Sequence, residues 1–122
     1  MTKVLICGSR SITDESYIFE QIDAFIRDYK LDMGSLTIIE GGAKGVDSVA
    51  GKWAENHSVQ KEVHKADWAR YGRGAGLRRN ADMVLSADMV LILWDGISKG
   101  TRNDIDLCKK HLKTYKIVVK EK

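Results

Sequence analysis

Proline is absent from this chain of 122 residues, so no turn rests on a ring-fixed φ and the sharp reversals fall to 11 glycines together with Asn and Asp. Cysteine is scarce as well. The two thiols, Cys7 and Cys108, each lie on an apolar stripe of their segment, which reads as buried thiols in a reducing, cytoplasmic setting rather than a disulfide. Three dispersed histidines complete no metal-ligand spacing, so neither a metal nor another cofactor is expected. Neither sign of charge dominates: 20 basic and 17 acidic residues leave a net charge of +3. That balance suits an anionic ligand and does not demand nucleic acid. The longest apolar run, Met89 to Trp94, is too short to cross a bilayer, so no membrane partner is expected. Val4 to Cys7 is closed by Gly8 without the long apolar region and small-residue cleavage site of a signal peptide, which argues against secretion.

What is present is the composition of a folded globular protein, 43% hydrophobic and 30% charged. A chain of this length is expected to form one domain, residues 1–122, around one core. Lys3 to Cys7 is a short β-branched run bounded by Gly8-Ser9-Arg10, as in a strand buried on both faces of a parallel sheet. Thr13 or Asp14 caps a helix whose apolar positions Ile18, Ile22, Phe25, Ile26 and Tyr29 repeat at helical spacing. Leu36 to Glu40 reads as a second strand, and Val46, Val49, Ala50, Trp53 and Ala54 mark a second helix with Trp53 in the core. Val59 to His64 suits a polar edge strand, and Ala66 to Gly76 a loop. Leu77, Ala81, Val84 and Leu85 give a third helix, Ala87 to Trp94 the strongest strand, Thr101 to Leu112 a fourth helix capped by Thr101, and Lys116 to Lys120 a last strand. Strands alternating with helices of this length predict an α/β, Rossmann-like three-layer domain with a five-stranded parallel sheet of order 3-2-1-4-5.

In an open parallel sheet, ligands sit beyond the carboxyl ends of the strands where the order reverses. Three segments would line that crevice: Gly8-Ser9-Arg10, the run Gly41-Gly42-Ala43-Lys44-Gly45-Val46-Asp47, and Asp95 to Thr101. Each leads to a helix, bringing free amides and the positive end of a dipole to one place, a geometry that favours an anion. Gly41, Gly42 and Gly45 would let the backbone approach a phosphate or sugar, with Lys44 as a cation and Asp47 accepting from ribose hydroxyls. The plainer alternative is a tight strand-to-helix turn. Neither the Walker loop nor the Gly-x-Gly-x-x-Gly fingerprint is present. Arg10 and Arg79 are candidates for a phosphate or carboxylate, against the ordinary reading of a solvated arginine. Trp68 and Tyr71 would stack on a base or simply cap the core. Asp47, Asp95 and Asp104 supply acids near the crevice, although Asp at a helix start commonly caps it. No Ser-His-Asp, Cys-His or HExxH arrangement can be assembled.

Taken together, GSR at 8–10, GGAKGVDSVAGKWAE at 41–55, ADW..YGRGAGLRRNADM at 67–83 and ADMVLILWDGISKGTRNDI at 87–105 resemble the YspA (cpYpsA-related) branch of the SLOG superfamily. The resemblance spans nearly the whole chain. It implies a Rossmann-like fold, a role in binding or processing nucleotide-derived ligands, occurrence in bacteria and phages including nucleotide-signal conflict systems, and frequent assembly into homo-oligomers. A more distant resemblance, to the Lonely Guy phosphoribohydrolases, pairs Arg79 and Met83 with an Arg-x-x-x-Met element. It also pairs Gly100, Thr101 and Asp104 with a Gly-Gly-x-Gly-Thr-x-x-Glu element. Asp104 is one methylene shorter than the glutamate there, and Ile97-Ser98-Lys99 replaces part of the glycine turn. A carboxylate displaced by about 1 Å loses on the order of a hundredfold in rate.

The leading expectation is therefore a nucleotide-binding module in which Gly8, Ser9, Arg10, Gly41, Gly42, Ala43, Gly45, Asp47, Asp95, Gly100 and Thr101 cradle a sugar-phosphate. Arg79 and Asn80 close one side, and Trp68 takes a base. The first alternative is an N-glycosidase on a nucleoside monophosphate, with Asp104 and Arg79 as catalytic residues. The second, suggested by the superfamily's DNA-processing protein A, is single-stranded DNA binding. Nucleic acid is the less favoured partner because the basic residues are scattered among acids.

Overall fold

Side-chain alternation along the strands sorts the apolar residues onto two faces of one sheet, as seen in the computed structural model, which describes residues 2–120. The termini of the expected domain, Met1, Glu121 and Lys122, lie outside the described residues. In chain order the elements are β1 (Thr2–Gly8), α1 (Glu15–Asp28), β2 (Leu36–Glu40), α2 (Val46–Asn56), β3 (Gln60–Val63), α3 (Trp68–Tyr71), α4 (Ala75–Ser86), β4 (Met89–Trp94), α5 (Lys99–Lys110) and β5 (Thr114–Val119). All neighbouring strands pair in parallel, in the order β3-β2-β1-β4-β5. This is the α/β architecture and strand order expected from the alternating pattern.

Val4 and Ile6 point to one face and pack with Ile18, Ile22 and Phe25 of α1 and with Ala50 and Trp53 of α2. Leu5 and Cys7 point to the other and meet Met83 and Val84 of α4 and Ile105 and Cys108 of α5. The helices thus form two outer layers, and Trp53, only 1% exposed, is core as expected. Its indole nitrogen donates to Asp23 Oδ1 at 2.9 Å, giving the buried ring a polar partner. Both cysteines are free and buried, and burial pushes the Cys108 thiol up to about 11. Because β1 lies between β2 and β4, the crossovers leave it in opposite directions and a crevice opens beyond its carboxyl end.

Several local expectations are corrected. Ala66 to Gly76 is not a plain loop: Asp67 Oδ1 accepts from the Arg70 amide at 3.1 Å, starting the short helix α3, and a 3-10 turn at Gly72–Gly74 leads to α4. On α4 the inward stripe is Ala75, Asn80, Met83 and Val84, whereas Leu77 and Leu85 are exposed. Ser98, not Thr101, is the N-cap of α5, and Thr101 lies buried in its first turn. Leu112 falls beyond the end of that helix at φ +53 and faces solvent. Asp14, rather than Thr13, caps α1 by accepting from the Tyr17 amide.

Candidate functional site

All three glycine-bearing junctions reach one cleft of about 340 Å³, large enough for a small ligand. From the β1 side come Cys7, Gly8, Ser9, Arg10 and Ser11; from the β2–α2 turn Ala43 and Asp47; from the β4–α5 turn Asp95, Ser98, Gly100, Thr101 and Asp104; and from α4 Arg79, Asn80 and Met83. A second cleft of about 270 Å³ adjoins it, sharing Arg10, Ala43 and Arg79 and adding Gly41, Gly42, Lys65, Ala66 and Trp68. Of the residues expected at the crevice, Gly45 reaches neither cleft, nor does Lys44, which is exposed.

Gly45 instead makes the junctions converge. It adopts φ +80, and a Cβ there would stand 2.9 Å from the carbonyl oxygens of both Arg10 and Ile12, so the loop after β1 packs directly on the start of α2. Gly41 is similarly confined. Its Cβ would meet Asp47 Oδ2 at 2.8 Å and Arg79 Nη1 at 2.9 Å.

The loop amides were expected to face a phosphate, but several turn inward to carboxylates. The Gly42 amide donates to Glu40 Oε1, and the Ala43 amide to Asp47 Oδ2 at 3.4 Å. On the other side, Asp95 Oδ1 accepts from the amides of Ile97 at 3.0 Å and Ser98 at 2.8 Å, and its Oδ2 accepts from Ser11 Oγ. These bonds hold its carboxyl down at about 2, and they make Asp95 a turn-forming acid. Ser9 Oγ accepts from the Asp95 amide at 3.0 Å and joins Ser98 and Thr101 in a cluster of three hydroxyls, tying the ends of β1 and β4 together.

Arg79 is also engaged. Its Nη1 donates to the Gly41 carbonyl at 2.6 Å and its Nε to Asn80 Oδ1 at 2.9 Å. Asn80 therefore positions the guanidinium. Around it stand three buried acids, Glu40, Asp47 and Asp104. Burial raises Asp47 to about 6 against the pull of the Ala43 amide and Arg79. Burial raises Asp104 to about 7, with the Asp47 charge adding to the effect and the Cys7 thiol and Arg79 opposing it. Glu40 is raised for the same first reason. One Asp104 oxygen, Oδ1, is buried with no hydrogen-bond partner among the described residues. The positive potential expected from the amides and Arg10 is thus confined to part of the crevice: the floor carries buried acids, and the exposed Arg10 lines the cleft beside them.

Glu40 and Cys7 escaped the sequence reading. The signal for Glu40 is an acid closing a largely apolar strand immediately before two glycines; Cys7 shares the apolar run of β1 and carries no distinguishing pattern. Tyr71 lies outside both clefts, with Arg70 and Arg78 over its ring.

Residues 2–71, more than half of the chain, match the model of the YspA, cpYpsA-related SLOG family, YAcAr. The chain belongs to this family. The Gene 61 protein of Mycobacterium phage D29 is 38% identical over 109 residues, which cover 84% of this chain and 85% of that protein. Among solved structures, the YAcAr chain is similar to DNA processing protein A of Helicobacter pylori, described for its single-stranded DNA binding mode, with a TM-score of 0.69 and 21% identity. It is also similar to DNA processing protein A of Streptococcus pneumoniae, with a TM-score of 0.74 and 15% identity. Alignment covers 98% and 96% of this chain but 66% and 50% of those two, so the likeness is one of fold over part of each longer protein. Among the described residues no helix is long and apolar enough to cross a membrane, and no group of His, Cys, Asp and Glu is arranged to hold a metal ion.

Proposed function

We propose that this YAcAr chain binds a nucleotide-derived small molecule in the cleft beyond β1, β2 and β4. The observation that carries the reading is the meeting of three strand-to-helix junctions around one cavity whose floor offers the buried carboxylates of Asp47 and Asp104. Carboxylates accept from a sugar diol, and first-turn amides of α5 at Gly100 and Thr101 have no intrahelical partner and favour negative charge. The similarity to a phage protein fits a phage or bacterial cytoplasmic setting and a role in nucleotide-signal conflict. Self-association is part of the same proposal, with Leu77 and Leu85 exposed on the outer side of α4.

A second reading, N-glycosidic hydrolysis of a nucleoside monophosphate, is favoured by one feature, the unpartnered Oδ1 of buried Asp104 in the cleft. An ionised carboxylate there would stabilise a developing oxocarbenium ion. Single-stranded DNA, which the H. pylori protein binds, is the less favoured reading because the floor of the cleft is acidic.

Chain purified from its host, denatured, and examined by mass spectrometry is expected to release a nucleotide-derived compound in near-stoichiometric amount. Absence of any such compound, together with no calorimetric response to nucleotides at millimolar concentration, contradicts the binding reading. Incubation with nucleoside monophosphates separates the second: free base released by the wild type and not by Asp104→Asn would establish turnover.

A further inference from the structure

The two adjoining clefts differ in chemistry, and the difference orients a ligand. Asp47 and Asp104 on the floor of the first are 6% and 5% exposed, and Asp104 leaves Oδ1 without a partner. Such groups accept from hydroxyls and repel a phosphate. At the junction of the clefts stands Arg10, and in the second cleft Lys65. Both are exposed, and among the described residues neither has a side-chain hydrogen bond or an ion pair. Beyond them is Trp68, 56% exposed, its six-membered ring close enough to Gly76 that a Cβ there would meet it at 3.4 Å. A hydroxyl-binding floor, a cationic junction and an aromatic platform thus line two adjoining clefts that share Arg10, Ala43 and Arg79.

We infer that the two clefts together take a nucleoside diphosphate-linked sugar, with the sugar hydroxyls on Asp47 and Asp104, the diphosphate at Arg10 and Lys65, and the base stacked on Trp68. This rests on reading the cleft as a nucleotide site and adds which end of the ligand lies where. A nucleoside monophosphate engages only part of this pair of clefts. If its phosphate were seated on the floor it would face two buried acids, with Arg79 already bonded to Gly41 and Asn80. Trp68 is exposed and belongs to neither core cluster, so replacing it removes the platform and leaves the two core faces intact.

The test is calorimetric titration of wild type, Trp68→Ala and Trp68→Phe with ADP-ribose and UDP-glucose, each against its nucleoside mono- and diphosphate. At least one diphosphate-linked sugar is expected to bind wild type ten times or more tightly than the matching monophosphate. Trp68→Ala is expected to weaken that binding by roughly tenfold to a hundredfold, Trp68→Phe to retain most of it, and Trp68 fluorescence to be quenched on binding. Lys65→Ala is expected to weaken the sugar conjugate and the diphosphate while leaving the unphosphorylated nucleoside unchanged. Equal affinity for mono- and diphosphate-linked forms, or indifference to Trp68→Ala, overturns the inference while leaving the nucleotide reading in place. Failure of every nucleotide to bind overturns both.

Discussion

Gly8→Ala is expected to lower the stability of the fold by about 3 kcal/mol, at the upper end of what overpacking costs. A Cβ at Gly8 would overlap the Leu93 carbonyl oxygen and stand 2.8 Å from Val46 Cγ2. The carbonyl is backbone in the neighbouring strand β4 and also accepts from the Ser9 amide at 3.0 Å. Neither rotamer change nor a small loop shift relieves such an overlap. The end of β1 must move away from β4, loosening the register in which Gly8 pairs with Leu93. For a chain of this size the loss corresponds to a fall in melting temperature of about 12 °C. Differential scanning calorimetry checks it; a shift below about 3 °C would mean that the two strand ends are not in contact as described.

The second large effect concerns charge. Asp104→Asn is expected to stabilise the empty protein by roughly 2 kcal/mol at pH 8, because a buried carboxylate is replaced by a neutral amide. An acid raised from 3.8 to about 7 is bound to its proton more tightly in the folded chain than in the unfolded one. Between those values the native state holds more protons than the unfolded state, so stability falls as pH rises through the window. Asp47, raised to about 6 by its burial, acts with the same sign. At pH 5, near the lower end of that window, the advantage of Asn is expected to fall to less than half of its value at pH 8, and it vanishes only below the unfolded value of 3.8. Binding moves the other way: loss of a charged acceptor for a hydroxyl weakens affinity by about tenfold to a hundredfold. Denaturant titrations of both proteins at pH 5 and 8 check this. An equal difference at the two pH values would remove the buried charge from the account.

Stability conceded at the floor of the cleft explains why the fold was more legible than the site. Val4 to Cys7 of β1 and all of β4 are apolar, and both strands are buried through their centres, so their neighbours in the chain were sufficient to place them. The four-residue helix α3 is too short to show a periodicity; it starts at Asp67, whose side chain accepts from the Arg70 amide and whose carbonyl accepts from the Tyr71 amide. Thr101 has the residue type of a cap, yet Ser98, three residues earlier, occupies the cap position, and Thr101 joins Ser9 and Ser98 instead. That the junctions meet was legible from glycine positions and strand order. That Asp47 and Asp104 stand near the crevice was legible as well; that they and Glu40 are buried was not, because that burial comes from α2 and α5 packing against the sheet, a long-range property. Arg79 is legible as a cation, but its engagement with the Gly41 carbonyl, 38 residues away in sequence, is written in no local pattern.

The most direct measurement is amide shift mapping by nuclear magnetic resonance during titration with a nucleotide that binds. Shifts are expected to concentrate at Ser9, Arg10, Ala43, Gly100 and Thr101, the backbone of the three junctions. A response centred on the groove of α1, at Phe19, Asp23 and Arg27, with the junction amides unmoved, would contradict the placement of the ligand at the ends of the parallel strands.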